Sequence, residues 1–397
     1  FGLLSSADWK ATWIGTGDSF HNIVGALTKT ENTLYDPWFR KTFILNSKPV
    51  RAIASVASIG YQELYVNGER VGDSVLMPSV TDNTKRARYV SYDVTDLLKP
   101  GKNVIGIWLG TSWSIFPKFE TADKPRAPLV MAQVDINLSD GSDQQIVTDT
   151  TWKTHPSPNK LLGGWNFRFY GGELYDARDE VLNWSSIDFD DVGWKYTVLF
   201  KPKVVVSSER SEPTKKVLSI QPKEIKEIAK GVYRIDFGQN FAGWIEADLS
   251  GKPGDRIDIQ ISERENEEMT HGLHSAYIMG ASGHGTFKNH FNYGSGRWIT
   301  VKGLQYKPGL EAFRAWLVRT SYTSNAEFEC SNELFNQINR VTRWTFENLS
   351  LGGYVVDCPQ RERMGYGGDA HATTTTALTN YALGAFYTKW AEDWRDA

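Results

Sequence analysis

Two rhythms divide this 397-residue chain, and they meet near Ser331. From about Asp36 to Arg319, short runs alternate apolar and polar residues, and turn signals separate them. Successive side chains of a strand point to opposite faces, so a period of two buries one face of a sheet. Ala52 to Ser58, Tyr89 to Val94, Asn103 to Gly110, Leu129 to Leu138 and Gln144 to Thr148 read as such strands. Gln62 to Asp73 reads as a hairpin. Leu64 and Val66 flank Tyr65, and Asn67-Gly68 supplies the residues a type I′ turn requires. Pro100-Gly101 and Asp140-Gly141 turn the chain again. Many short strands at regular spacing predict a β-sandwich. A second β region spans about Lys216 to Arg319, with strands over Tyr233 to Phe237, Trp298 to Val301 and Phe313 to Val318. Ile257, Ile259 and Ile261 alternate there, and Gly238 to Trp244 reads as a turn-rich corner.

At Ser331 the period lengthens. Ser331 reads as an N-cap, with Glu333 in the first turn favouring the helix dipole. Leu334, Ile338, Val341 and Trp344 fall on one helical face. Leu378, Tyr381, Ala382, Ala385, Phe386 and Trp390 keep helical spacing further on. The run Thr373 to Thr376 forms helix poorly and requires tertiary support. The expected fold is multidomain: two antiparallel β-sandwiches over residues 1–205 and 206–325, then helices over 326–397.

The net charge of −3 carries no basic block, which argues against a nucleic-acid partner. No run of about 18 apolar residues predicts a membrane span. Fifteen Trp, 17 Tyr and 19 Phe make a heavy aromatic load; flat rings suit sugar faces, although most serve as core. Cys330 and Cys358 allow at most one internal disulfide, and Cys358 reads as a structural thiol. His271, His274, His284 and His290 lack the spacing of metal ligands, so no metal site is expected there.

Charge concentrates between the helical patterns, in YVVDCPQRERMGYGGDAH from Tyr354 to His371. Cys358-Pro359 disfavours helix there, and Gly365, Gly367 and Gly368 permit sharp backbone geometry. A curled loop can aim Asp357, Glu362 and Asp369 at one pocket. Grouped carboxylates repel and burial penalises their charge, so one of them should hold its proton. Such an acid is what protonation of a glycosidic oxygen needs. Simpler readings stay open: Asp369 as the N-cap of the next helix, Asp357 as a turn cap, and Glu362 with Arg361 and Arg363 as a solvated ion-pair cluster.

The run from Asp357 to Asp369 resembles the signature of inverting α-L-rhamnosidases of glycoside hydrolase family 78. ELYVNGERVGD and YVSYDVTDLLKPGKNVIGIWLG resemble the N-terminal jelly-roll domain of that family. GLLSSADWKATWIG, from Gly2 to Gly15, resembles a phrase that follows a preceding sandwich, which would make Phe1 an internal start. GGELYDARDE, from Gly171 to Glu180, resembles the link to the next sandwich; its acids otherwise read as a solvated turn.

The resemblance implies that Glu362 is the general acid, that Asp357 and Asp369 hold sugar hydroxyls, and that Arg361 supports the pocket. Tyr366 stands where the family usually has the Trp that packs on the sugar. The loop is one residue shorter before the acid than the commonest form.

The resemblance also implies an (α/α)6 barrel. Twelve helices need on the order of 200 residues, and 326–397 has room for two or three. The remainder of the barrel is therefore expected outside this chain, on a second polypeptide or fragment. The general base, expected about 6.5–9.5 Å from the acid, is not assigned to any residue present.

The expected activity is exo-acting, inverting removal of terminal α-L-rhamnose from glycosides or polysaccharide fragments, without metal or organic cofactor. The alternatives are another inverting glycosidase on the same barrel, which Tyr366 keeps open, and a noncatalytic carbohydrate-binding protein. Localisation leans towards secreted or periplasmic. The sequons at Asn137, Asn183 and Asn348 are no more than chance supplies.

Overall fold

The computed structural model describes residues 4–5, 7–17, 33–116, 128–165 and 169–397. The chain start at Phe1 and Gly2 lies outside the described residues. The described elements are mostly β, followed by three α-helices.

Two sheets build the first region. The smaller has seven strands and runs, edge to edge, through Val198–Phe200, Trp13–Gly15, Leu129–Leu138, Pro49–Ile59, Arg86–Asp93 and Val205–Ser208, with Asp143–Val147 beside Leu129–Leu138. It faces the strands Thr33–Leu45, Gly101–Gly110 and Tyr61–Val66 of a larger sheet. Phe39, Leu64, Ile105, Ile107 and Leu109 from the larger sheet share one buried cluster with Ala52, Ala54, Val56, Val130 and Val134 from the smaller. The alternation read in the sequence therefore buries one face of each sheet against the other. Asn67 and Gly68 turn the hairpin at φ 52° and 93°, as the type I′ pattern requires.

The larger sheet has fifteen strands and continues into the second region. The join is a parallel ladder, Leu174 to Asp176 beside Ala276 to Ile278. Parallel pairing recurs between Val205–Ser208 and Arg86–Asp93, so the β regions are not purely antiparallel as expected. Both pairings unite strands far apart in the chain, where no hairpin forces antiparallel order. Of the acids of Gly171 to Glu180, only Asp179 and Glu180 are exposed at a turn; Gly172–Asp176 is a strand, with Glu173 and Asp176 both buried.

Gly238 to Trp244 is no corner. Val232–Ser250 is one long strand whose register shifts between Asp236 and Phe241. The bulge bends the strand without ending it. Its second half pairs with His284–Lys288 and Phe313–Thr320. Ile257, Ile259 and Ile261 are all buried, as their alternation predicts.

The helices are α1 (Glu333–Leu349), α2 (Gly367–Asn380) and α3 (Gly384–Asp396). The cap of α1 is Asn332, not Ser331; its side-chain oxygen accepts from the Leu334 N–H at 3.0 Å. Leu334, Ile338 and Val341 do share a face, and that face is exposed. The helical spacing after residue 378 is split in two. Tyr381 is extended, bridges Ser324 and donates its hydroxyl to Glu347 at 2.7 Å. Its ring stacks on Phe346 and packs on Tyr322, contacts that replace helix continuation. No described helix is long and apolar enough to cross a membrane.

Helix α3 is fastened to the first β region by buried cations. Arg88 meets Glu392 and Asp393, and Arg86 meets Asp396. The Lys389 ammonium donates to the Gly352 carbonyl at 3.1 Å and to the Val80 carbonyl, and it pairs with Asp393. Burial holds its pKa below the usual lysine range.

Candidate active site

The acidic loop leaves a two-stranded hairpin, Ser350–Leu351 with Tyr354–Val355, and runs into α2. Gly352 and Gly353 make the hairpin turn at φ 71° and 80°. A Cβ on Gly353 would stand 2.9 Å from Ser79, so the turn lies tight against the first β region.

Beyond the hairpin the chain curls on itself. The Asp357 N–H donates to the Met364 carbonyl at 2.9 Å, and the Met364 N–H returns to Asp357 Oδ1 at 3.2 Å. The Arg363 N–H donates to the Cys358 carbonyl at 3.1 Å. The Cys358 thiol donates to Asp357 Oδ2 at 3.0 Å, which gives that cysteine a local structural task. Both cysteines are unpaired.

The curl gathers most of the expected site. Glu362 Oε2 accepts from the Tyr366 hydroxyl at 3.0 Å, and Glu362 Oε1 pairs with Arg361 Nη2 at 3.0 Å. The Glu362 side chain is 15% exposed and that of Arg361 43%. Tyr366 is 40% exposed and leaves ring surface open to solvent. Asp357 is half-buried. Burial raises its carboxyl pKa, and the charge of Glu362 adds to the rise. Burial, then the bond to Glu362, pushes the Tyr366 phenol up to about 12.

Asp369 joins the group through the backbone. It is not the N-cap of α2; that position is Tyr366, and Asp369 is the third helical residue. Its carboxylate accepts from the Tyr366 N–H at 3.2 Å, as the acid of a capping box does.

Arg363 breaks with the ion-pair reading. Its side chain is fully buried, and none of its hydrogen bonds goes to a carboxylate. Tyr170 is a further residue the sequence did not disclose. Its hydroxyl donates to the Glu362 carbonyl at 2.6 Å. Nothing within the loop signals either contact, because the partners lie far away in the chain.

A cavity of about 460 Å³ opens beside the loop, between Val80, Trp113 and Phe116 and the helical residues Trp390 and Trp394. Met364 and Gly365 line it, but Glu362 does not. Among the described residues no group of three or more His, Cys, Asp or Glu could hold a metal ion.

Three family models match successive parts of the chain. The bacterial α-L-rhamnosidase N-terminal domain matches residues 47–218, its concanavalin-like domain 226–319, and its six-hairpin glycosidase domain 323–397. The chain belongs to the bacterial α-L-rhamnosidase family.

An α-L-rhamnosidase of Formosa agariphila is 32% identical over 90% of the chain, which spans 39% of that relative. One of Streptomyces avermitilis is 28% identical, and the chain spans 36% of it. The rhamnosidase structure from Dictyoglumus thermophilum superposes over 100% of the chain and 45% of its own length, with TM-score 0.89 and 33% identity. The S. avermitilis rhamnosidase complexed with L-rhamnose superposes over 91% of the chain and 36% of its own, with TM-score 0.84 and 26% identity. The chain thus spans less than half the length of these relatives.

Proposed function

We propose that this chain carries the general-acid half of an exo-acting, inverting α-L-rhamnosidase. The observation that bears most weight is the placement of Glu362. Its backbone is packed into the protein while its carboxylate lies between the Tyr366 hydroxyl and the half-exposed Arg361 guanidinium. Arg361 is exposed enough to swing aside as a glycoside enters. Glu362, having taken a proton from solvent once the arginine has moved off, delivers it to the departing glycosidic oxygen as the anomeric C–O bond breaks. The resulting carboxylate regains the Arg361 and Tyr366 donors. Asp357 and Asp369 would accept from sugar hydroxyls, fixing the ring and strengthening as oxocarbenium character develops. The open face of Tyr366 would take the apolar face of the sugar.

The domain reading that goes with this is a first sandwich over 1–205, a second over 206–325 and the first helices of an (α/α)6 barrel over 326–397. The exposed apolar face of α1 suits a partner helix of that barrel. The general base and the remaining barrel would come from outside this chain, on a second polypeptide or fragment. The substrate would be a rhamnose-ended glycoside or glycan.

The test is Glu362→Gln in the complete enzyme that carries this chain. The expected loss of kcat is about 10²–10⁴-fold on alkyl α-L-rhamnosides, and far less on an activated aryl rhamnoside, whose leaving group barely needs a proton. Stability should barely change, since an ion pair with so exposed an arginine is worth about 0.2–1 kcal/mol. Undiminished turnover of alkyl rhamnosides by the variant would remove Glu362 from the role.

A further inference from the structure

We propose that Tyr170 and Arg363 are positioning residues for Glu362, so that residues outside the helical region form part of the catalytic apparatus. The proposal rests on the reading of Glu362 as the acid. The geometry points to it through the peptide that joins Glu362 to Arg363. Both polar groups of that peptide are taken: its carbonyl by the Tyr170 hydroxyl at 2.6 Å, its N–H by the Cys358 carbonyl at 3.1 Å. The next residue, Arg363, is held at φ 56°, a left-handed conformation that an L side chain keeps only when its surroundings enforce it.

Those surroundings are a cage for a buried cation. Arg363 Nε donates to the Pro359 carbonyl at 2.8 Å, Nη1 to Asn292 Oδ1 at 2.8 Å and Nη2 to the Tyr293 carbonyl at 2.7 Å. Its guanidinium also lies 3.9 Å from the ring centroid of Tyr293, 4.7 Å from that of Tyr170 and 5.4 Å from that of Trp165. Asn292 closes the circuit by donating to the Tyr170 carbonyl at 2.8 Å.

Tyr170 precedes the strand Gly172–Asp176, and Asn292 and Tyr293 precede Gly294–Lys302. A planar guanidinium with fixed partners cannot slide without stranding a buried donor, so the cage admits one position. Tyr170, Asn292 and Tyr293 thereby set where the Glu362 backbone lies. An acid displaced by about 1 Å loses much of its advantage.

The experiment is a leaving-group comparison on the complete enzyme, with Tyr170→Phe, Arg363→Lys and Glu362→Gln beside the unaltered protein. The probes are methyl and p-nitrophenyl α-L-rhamnoside. Tyr170→Phe removes one hydroxyl and keeps the ring over Arg363, so it should fold. Its kcat on the methyl glycoside should fall about tenfold, with KM unchanged and the aryl glycoside much less affected. Arg363→Lys should show the same pattern more strongly where it folds, because an ammonium cannot meet three fixed acceptors at once.

If Glu362→Gln shows leaving-group dependence while Tyr170→Phe loses both substrates equally, or neither, the positioning role is overturned and the acid stands. Should Glu362→Gln itself leave methyl rhamnoside turnover intact, the acid assignment falls and the positioning role falls with it.

Discussion

Asp36→Asn should rewrite the pH dependence of stability, and the size of the effect follows from how Asp36 is buried. The carboxyl is 1% exposed. Oδ1 accepts from the Thr111 N–H at 2.7 Å and Oδ2 from the Asn159 amide at 2.9 Å. That same amide donates to Glu173 Oε1 at 2.9 Å, so two buried acids share one donor. Burial first, and the nearby Glu173 charge as well, raise Asp36 from 3.8 to about 8. The folded protein therefore keeps a proton that the unfolded chain has lost. Stability from this group is complete below pH 3.8, declines as pH rises, and levels off above about 8.

The slope is about 1.4 kcal/mol per pH unit within that window, so at pH 6 the ionised unfolded state costs the native protein about 3 kcal/mol. Asn cannot ionise and escapes this slope. It does require the Asn159 amide to turn over, presenting the Asn159 Oδ1 that has no partner at present and taking a donor from Glu173. That costs about 1.5–3 kcal/mol at any pH. The variant should be the weaker protein near pH 4 and the stronger near pH 8, with the curves crossing between about pH 5 and 6. Urea midpoints of the two proteins at pH 4, 5, 6, 7 and 8 measure this. Curves that run parallel across the range would show that Asp36 is ionised in the fold.

Gly172→Ala should prevent the two β regions from joining. Its Cβ would stand 1.5 Å from the His274 carbonyl oxygen, and the expected loss exceeds about 3 kcal/mol, read as a lowered urea midpoint. Tyr366→Phe removes the donor to Glu362 and keeps the ring. It should lower kcat by about three- to tenfold, as one net hydrogen bond would, with little change in KM. Because the phenol titrates only near 12, that ratio should be the same at pH 5 and pH 9.

Local chemistry wrote the β half of the fold legibly. Asn67-Gly68 has one economical turn, and Ile257, Ile259 and Ile261 have one face to bury. The loop was legible too, since Asp357, Glu362 and Tyr366 are near neighbours in sequence and in space. Non-local contacts were not. Glu173 looks solvated in GGELYDARDE, yet it accepts from the Asn289 amide and from the Phe291 N–H, both at 2.7 Å. Those partners lie 116 and 118 residues away. Arg363 looked like half of a surface ion pair for the same reason, its anchor Asn292 being 71 residues distant. The break between α2 and α3 depends on Tyr381 finding Phe346 and Tyr322, which helical spacing cannot report.

The sideways pairing of Gly172–Asp176 with His274–Ile278 leaves its mark on how this molecule could be taken apart. Neither β region owns that seam. Expressed alone, each would present a raw row of amides and carbonyls to water, an invitation to stick to a copy of itself. Trading one region for a foreign module would carry the same penalty.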